Sequence, residues 1–152
     1  TFELNILWIG DMNNVCYSLV EAVNLLSEIN LTICCPSQIS HNKNWKFNKN
    51  NKIIENIEEI YLETVKCVMT DVYISMNDKD SNSKIELLRP YTVNSKLMSK
   101  TSHDSVFMHC LPAKIGYEVD ENVFKSKKSI VWKQAYNRLI AQKKLLQLID
   151  WN

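Results

Sequence analysis

Apolar positions along the chain come in two rhythms. Leu4-Asn5-Ile6-Leu7-Trp8-Ile9 is a short β-favouring run that stops at Gly10-Asp11-Met12-Asn13-Asn14, after which Leu19, Ala22, Val23 and Leu26 recur at helical spacing. The order reads strand, loop, helix. A second run, Leu31-Thr32-Ile33-Cys34-Cys35, is closed by Pro36, and the polar, Asn- and Lys-rich residues 37–53 predict an exposed connection. A short helix through Ile54, Ile57 and Ile60 leads to a third run over 65–74. Residues 77–84 predict a loop, with helical pieces near 84–89 and 94–100. The fourth run is Val106-Phe107-Met108-His109-Cys110 and the fifth Ser129-Ile130-Val131-Trp132. A last helix spans about Ala135 to Ile149. Strands that are continuously apolar and alternate with helices predict an α/β fold. The expected architecture is a Rossmann-like three-layer sandwich, with a mostly parallel sheet of about five strands and helices on both faces.

In such a sheet, ligands sit beyond the carboxyl ends of the strands. The polar residues that follow each strand are therefore the ones to weigh. They are Asp11, Asn13 and Asn14 after the first, and Asp71, Ser75 and Met76 at the third. His109 and Cys110 close the fourth, and Asn137 and Arg138 follow the fifth. No internal repeat or second domain boundary interrupts the 152 residues, so residues 1–152 read as one domain.

Composition narrows the partners. Hydrophobic residues make up 45% of the chain, too many for a disordered segment, and 18 Lys+Arg against 17 Asp+Glu leave a net charge of +1. That balance argues against nucleic acid and against a polybasic membrane face, so a small-molecule partner is expected. No apolar run approaches the roughly 18 residues of a membrane span, and no signal peptide opens the chain; a cytoplasmic location is the default expectation. The five cysteines are an odd number without C-x-x-C spacing, which predicts reduced thiols and neither a disulfide framework nor a zinc site. The chain begins at Thr1 without Met, as a piece of something longer would.

Each candidate has a plain reading beside the chemical one. The Gly10 loop lacks the later glycines of a dinucleotide fingerprint, which has Gly where this chain has Met12 and Val15. Asn14, at a helix start, suits a cap as well as a ligand contact. Asp71 closes an apolar strand, and a carboxylate there must find a cation or several donors, which an amine-bearing ligand would supply. Cys110 alone fits a core thiol. In His109-Cys110-Leu111-Pro112, however, the proline restricts Leu111, and the turn would hold thiol and imidazole at the rim. Because strand neighbours point to opposite faces, a Cys/His nucleophile pair is disfavoured. Arg138 fits a solvated helix position, yet it lies one turn inside a helix whose start faces the rim, and it and Arg89 are the only two arginines.

Taken together, Trp8-Ile9-Gly10-Asp11-Met12-Asn13-Asn14-Val15, Thr70-Asp71-Val72-Tyr73-Ile74-Ser75-Met76, Phe107-Met108-His109-Cys110-Leu111-Pro112-Ala113 and Asn137-Arg138-Leu139 resemble the signatures of the ornithine carbamoyltransferases, in order and spacing. The resemblance covers the C-terminal, ornithine-binding half of that family. It implies that Asn14, Asp71, Ser75 and Met76 hold L-ornithine, and that Cys110 and Leu111 lie at the reacting centre, touching both the side-chain amine and carbamoyl phosphate. Arg138 would contact carbamoyl phosphate, with Cys110 and Arg138 the catalytic residues. The implied reaction is attack of the neutral δ-amine on carbamoyl phosphate to give citrulline and phosphate, without metal or organic cofactor. The role of His109 is left open. Departures from the family pattern fall at Met12, Tyr73, Asn77, Ile115 and Lys133-Gln134-Ala135-Tyr136.

The same resemblance implies an N-terminal carbamoyl phosphate domain, carrying S-T-R-T-R and H-P-x-Q motifs, through which the full-length enzymes form homotrimers. Neither motif occurs here, and none of His41, His103 and His109 precedes a proline. The expectation is therefore an ornithine-binding half that is inactive alone. The alternatives are a degenerate or stand-alone amino-acid-binding module, and a paralogue acting on another amine.

Overall fold

The computed structural model describes residues 3–40, 45–74 and 81–149. Its centre is a five-stranded sheet in which every neighbouring pair is parallel, with β1 (Leu4–Ile9), β2 (Ile29–Cys34), β3 (Asn51–Ile54), β4 (Cys67–Thr70) and β5 (Val106–His109) in the spatial order β3-β2-β1-β4-β5. The helices are α1 (Asn14–Asn24), α2 (Ser37–Ser40), α3 (Ser81–Leu88), α4 (Ser95–Lys100), α5 (Glu121–Phe124) and α6 (Val131–Leu148).

Side chains of β1 explain the two-sided core. Ile6 and Trp8 pack on one face with Leu31, Ile33 and the α1 residues Cys16, Val20 and Val23. Leu7 and Ile9 pack on the other with Val68 and Phe107, beneath Val93, Met98, Val123 and Val131. Successive strand residues point to opposite faces, so a strand covered on both sides must be apolar at every position. The expected sandwich is the one observed. Among the described residues, no helix is long and apolar enough to cross a membrane.

Three local readings are corrected. The run 129–132 is not a strand. Ser129 forms a single bridge to Phe107, the helix α6 begins at Val131, and the Val131 side chain enters the core. The fifth strand is instead β3, inside the stretch read as connection and short helix; it lies at the sheet edge beyond β2. The buried face of α1 is also rotated, running through Cys16, Val20 and Val23, while Leu26 is exposed.

The chain order places a topological switch between β1 and β4. From β1 the chain winds outward through β2 and β3, then returns to lay β4 and β5 on the other side. The loops after β1 and β4 therefore diverge to opposite faces and leave a crevice at the carboxyl end of the sheet. Gly10 makes the turn into it, with φ +110, and a Cβ at this position would lie 3.3 Å from the Tyr73 ring and 3.4 Å from Thr70 Oγ1. Only glycine meets both demands. The Thr70 hydroxyl donates to the Ile9 carbonyl at 2.7 Å, holding the two strand ends level.

Phe107 is fully buried, between Val68 of β4 and the start of α6. Phe107→Ala should cost about 3–5 kcal/mol in urea unfolding, the range for truncating a buried aromatic side chain; a loss below about 1 kcal/mol would contradict the packing described.

Candidate functional site

Asp71 is the first residue after β4 and is only 6% exposed. A carboxylate at such a depth needs donors, and it has two from other strands. Asn13 Nδ2, in the loop after β1, donates to Oδ2 at 2.7 Å, and the Cys110 thiol, just past β5, donates to Oδ1 at 2.8 Å. Three rim segments thus meet on one carboxylate at the switch point.

Asn13 serves two elements at once. Its Oδ1 accepts from the backbone N–H groups of Val15 and Cys16, which makes it the N-cap of α1, while its amide nitrogen faces Asp71. The cap expected at Asn14 therefore belongs to Asn13. Asn14 is the first helical residue and is exposed beside the rim. Nearby, Asp11 is buried and its carboxylate receives Lys84 Nζ from α3 at 2.8 Å. Ser75 and Met76 lie outside the described residues.

Cys110 is the half-buried member of an otherwise buried set of cysteines. Burial pushes its thiol up to about 12, and the hydrogen bond to Asp71 and the Asp71 charge add to the rise; a backbone hydrogen bond and the positive charge of Arg138 oppose it. The group is a thiol at neutral pH, a donor and not a thiolate nucleophile. Leu111 and Arg138 line a cavity of about 630 Å³ with Cys110, Pro112, Trp132 and Ala135. Arg138 is exposed on α6 and has no carboxylate partner among the described residues.

The opposite-face separation expected for His109 and Cys110 is not seen, because Cys110 lies past the end of β5 and a ring nitrogen of His109 comes within 4.8 Å of its sulfur. Cys110 faces the rim, whereas His109 is 1% exposed and turned inward, with Nε2 3.1 Å from Glu118 Oε1 and Nδ1 accepting the Leu111 N–H at 2.9 Å. Glu118 is fully buried and accepts the Lys114 N–H, and its Oε2 has no partner among the described residues. Atoms of Asp71, His109 and Cys110 lie within 4.8 Å of one another. Both imidazole nitrogens are already engaged, so this trio offers a cation no free third ligand. Asn13 as the Asp71 donor and Glu118 as the His109 partner are the contributions that sequence reading missed. Asn13 stood among the rim residues without a role, and nothing in the spacing marked Glu118.

A parallel sheet with its polar groups gathered at the switch point defines an α/β ligand-binding domain. Residues 3–149 match the family model described as "Aspartate/ornithine carbamoyltransferase, Asp/Orn binding domain", and the chain belongs to the ornithine carbamoyltransferase family as its C-terminal half. It is 42% identical to the ornithine carbamoyltransferase of Rhodopseudomonas palustris over 145 residues, covering 93% of this chain and 46% of that enzyme. It is 37% identical to the anabolic ornithine carbamoyltransferase of Pseudomonas aeruginosa, covering 93% of this chain and 47% of that enzyme. The solved ornithine carbamoyltransferase of Pyrococcus furiosus superposes with a TM-score of 0.81 at 28% identity, covering 97% of this chain and 50% of that one. The chain spans about half the length of the curated relatives it matches.

Asp71→Asn removes a charge and a strong acceptor beside the thiol but leaves the burial, so the Cys110 pKa should fall part of the way from about 12 towards the ordinary thiol range. Iodoacetamide labelling of Cys110 at pH 8.5, followed by peptide mass spectrometry, should speed up several-fold in this variant. An unchanged rate would show that the carboxylate does not control the thiol.

Proposed function

We propose that this chain is the ornithine-binding half of an ornithine carbamoyltransferase. Joined to a carbamoyl phosphate-binding half, it transfers the carbamoyl group to the δ-amine of L-ornithine and releases citrulline and phosphate. The observation that carries this reading is the buried Asp71 carboxylate held from two other rim segments, by Asn13 and by Cys110, within the family's own motifs. Asp71 supplies the negative charge an amino-acid ammonium seeks. Asn14 stands at the rim beside it, and Ser75 and Met76, four and five residues further on, complete the grip on ornithine in this reading.

The chemistry demands an uncharged amine. With a pKa near the 10.4 of lysine, freeing the lone pair at pH 7 costs about 4.6 kcal/mol. A site that excludes water lowers that cost by disfavouring the ammonium form. Cys110, protonated at neutral pH, orients the amine through its sulfur, and Leu111 shapes the wall beside it. Arg138, at the mouth of the same cavity, stabilises the charge that grows on the departing phosphate. No step in this reading calls for a metal or an organic cofactor.

The other half is needed for two reasons. Arg89 is paired with Glu86 on the surface, so Arg138 alone is left as a guanidinium for a doubly charged phosphate. In addition, α6 buries only Val131 and exposes Trp132, Tyr136, Leu139, Ile140, Leu145, Leu146 and Leu148, more apolar surface on one helix than a monomer usually leaves bare. The same helix carries Lys133, Arg138, Lys143 and Lys144 and no acidic residue, so two copies of it repel, and an apolar groove rimmed by carboxylates suits it better. The carbamoyl phosphate-binding half occupies this face in our reading, and assembly into the family homotrimer follows from that half.

A second reading is a binding module that has lost the reaction. The lack of a carboxylate partner for Arg138 among the described residues, beside Lys133-Gln134-Ala135-Tyr136, favours it. Calorimetry tests the ornithine site that both readings share, and only the first expects citrulline once the complementary carbamoyl phosphate-binding half is added. Ornithine should bind the folded chain, and Asp71→Ala should weaken binding at least tenfold; a folded chain that gives no heat would remove the ornithine-binding reading. Supplied with carbamoyl phosphate and ornithine, the isolated chain should form no citrulline, and sustained turnover would overturn the half-enzyme reading. Leu139→Glu with Leu146→Glu should weaken sedimentation of the chain with the complementary half of the Rhodopseudomonas palustris enzyme, without lowering ornithine affinity.

A further inference from the structure

Leu111 sits at the centre of the site in a conformation its side chain resists. Its φ is +59, in the left-handed region that a residue with a Cβ rarely adopts. Such a conformation persists only where the surroundings hold it. The bond that holds it is the Leu111 N–H to His109 Nδ1 at 2.9 Å, made inside the core by an imidazole that is 1% exposed.

That hydrogen bond sets the protonation of the ring. Nδ1 accepts, so it carries no proton, and a neutral imidazole then has its proton on Nε2. Nε2 faces Glu118 Oε1 at 3.1 Å, and a carboxylate can only accept. Glu118 therefore selects the tautomer that leaves Nδ1 bare for Leu111. Because a trans peptide points its C=O opposite to its N–H, fixing the Leu111 N–H towards the core also turns the Cys110 carbonyl away from it. The thiol of the same residue then meets Asp71.

We propose that His109, with its tautomer set by the buried Glu118, is the positioning residue of the site, holding the 110–111 peptide so that the Cys110 thiol rests on Asp71. The proposal deepens the ornithine reading and rests on it for its meaning, but not for its test. It assigns the motif histidine no contact with substrate. Its action runs through the backbone, from the imidazole to the Leu111 N–H.

Two substitutions separate positioning from packing. In His109→Asn, the shorter side chain still offers an oxygen to the N–H two residues on, as in an Asx-turn, but no longer reaches Glu118. In His109→Leu, the volume is kept and the acceptor is lost. Both should lower the melting temperature. The iodoacetamide pH profile of Cys110 should stay within threefold of the parent in His109→Asn. In His109→Leu, labelling at pH 8.5 should rise at least tenfold as the thiol leaves Asp71 for water. Ornithine calorimetry should follow the same division, and if the parent chain binds no ornithine, the thiol profile still decides the positioning claim. Nitrogen-15 spectra of the parent should show His109 as the Nε2–H tautomer. Equal thiol profiles in the two variants, or an Nδ1–H or doubly protonated ring in the parent, would overturn the proposal.

Discussion

A buried carboxylate organises this end of the molecule. Asp71 lies where the sheet changes winding direction, and the cost of taking its charge out of water obliges the neighbouring strand ends to send donors to it. Asn13 meets the demand with its amide nitrogen while its oxygen caps α1, so the start of that helix and the carboxylate are tied by one side chain. Cys110 meets it from the other side. Gly10 and Thr70 bring the strand ends close enough for these contacts, the first by having no Cβ and the second by bonding the Ile9 carbonyl.

The carboxylate also determines what the sulfur is. Burial alone would raise the thiol pKa; the Asp71 oxygen beside it adds a further rise, and the exposed Arg138 opposes it only weakly. Most reactive cysteines are brought down by nearby cations, and this one is held up by an anion. Its chemistry is therefore that of a directed S–H group, suited to orienting an amine. A covalent intermediate on sulfur would ask the opposite of its surroundings.

Much of the layout was legible in the chain because its physical causes are local. β1, β2 and β5 announce themselves as apolar runs punctuated by Gly10, Pro36 and Pro112, and Asp71 stood out as a charge at the end of such a run. β3 did not, since an edge strand that opens on Asn51-Lys52 looks like its polar surroundings and is recruited only by the open edge of β2. Residues 129–132 misled for the converse reason. Their β-branched, apolar character answers to the burial of Val131 under β5, which a helix start achieves as well as a strand. Asn13 was visible only as one of two adjacent asparagines. Glu118 was invisible, because its partner lies nine residues away across a loop whose path the sequence does not specify.

The helix α6 is buried only at its start. Its first turn is anchored: Val131 is in the core, and Gln134 accepts the His109 N–H. Beyond that turn Leu139, Leu145 and Leu148 are exposed. Eighteen residues span about 27 Å, and helices of this length draw most of their stability from packing one face. The turn that carries Arg138 is thus continuous with a segment that packs little of its apolar surface. Under the half-enzyme reading these are one fact, because the surface that receives the leucines also fixes the direction of the guanidinium. The cavity bounded by Cys110, Leu111 and Arg138 then becomes complete only when that face is covered. The Asp71 cluster depends on none of this. Its donors come from the segments just after β1 and β5, so the carboxylate cluster and the orientation of Arg138 have separate structural origins.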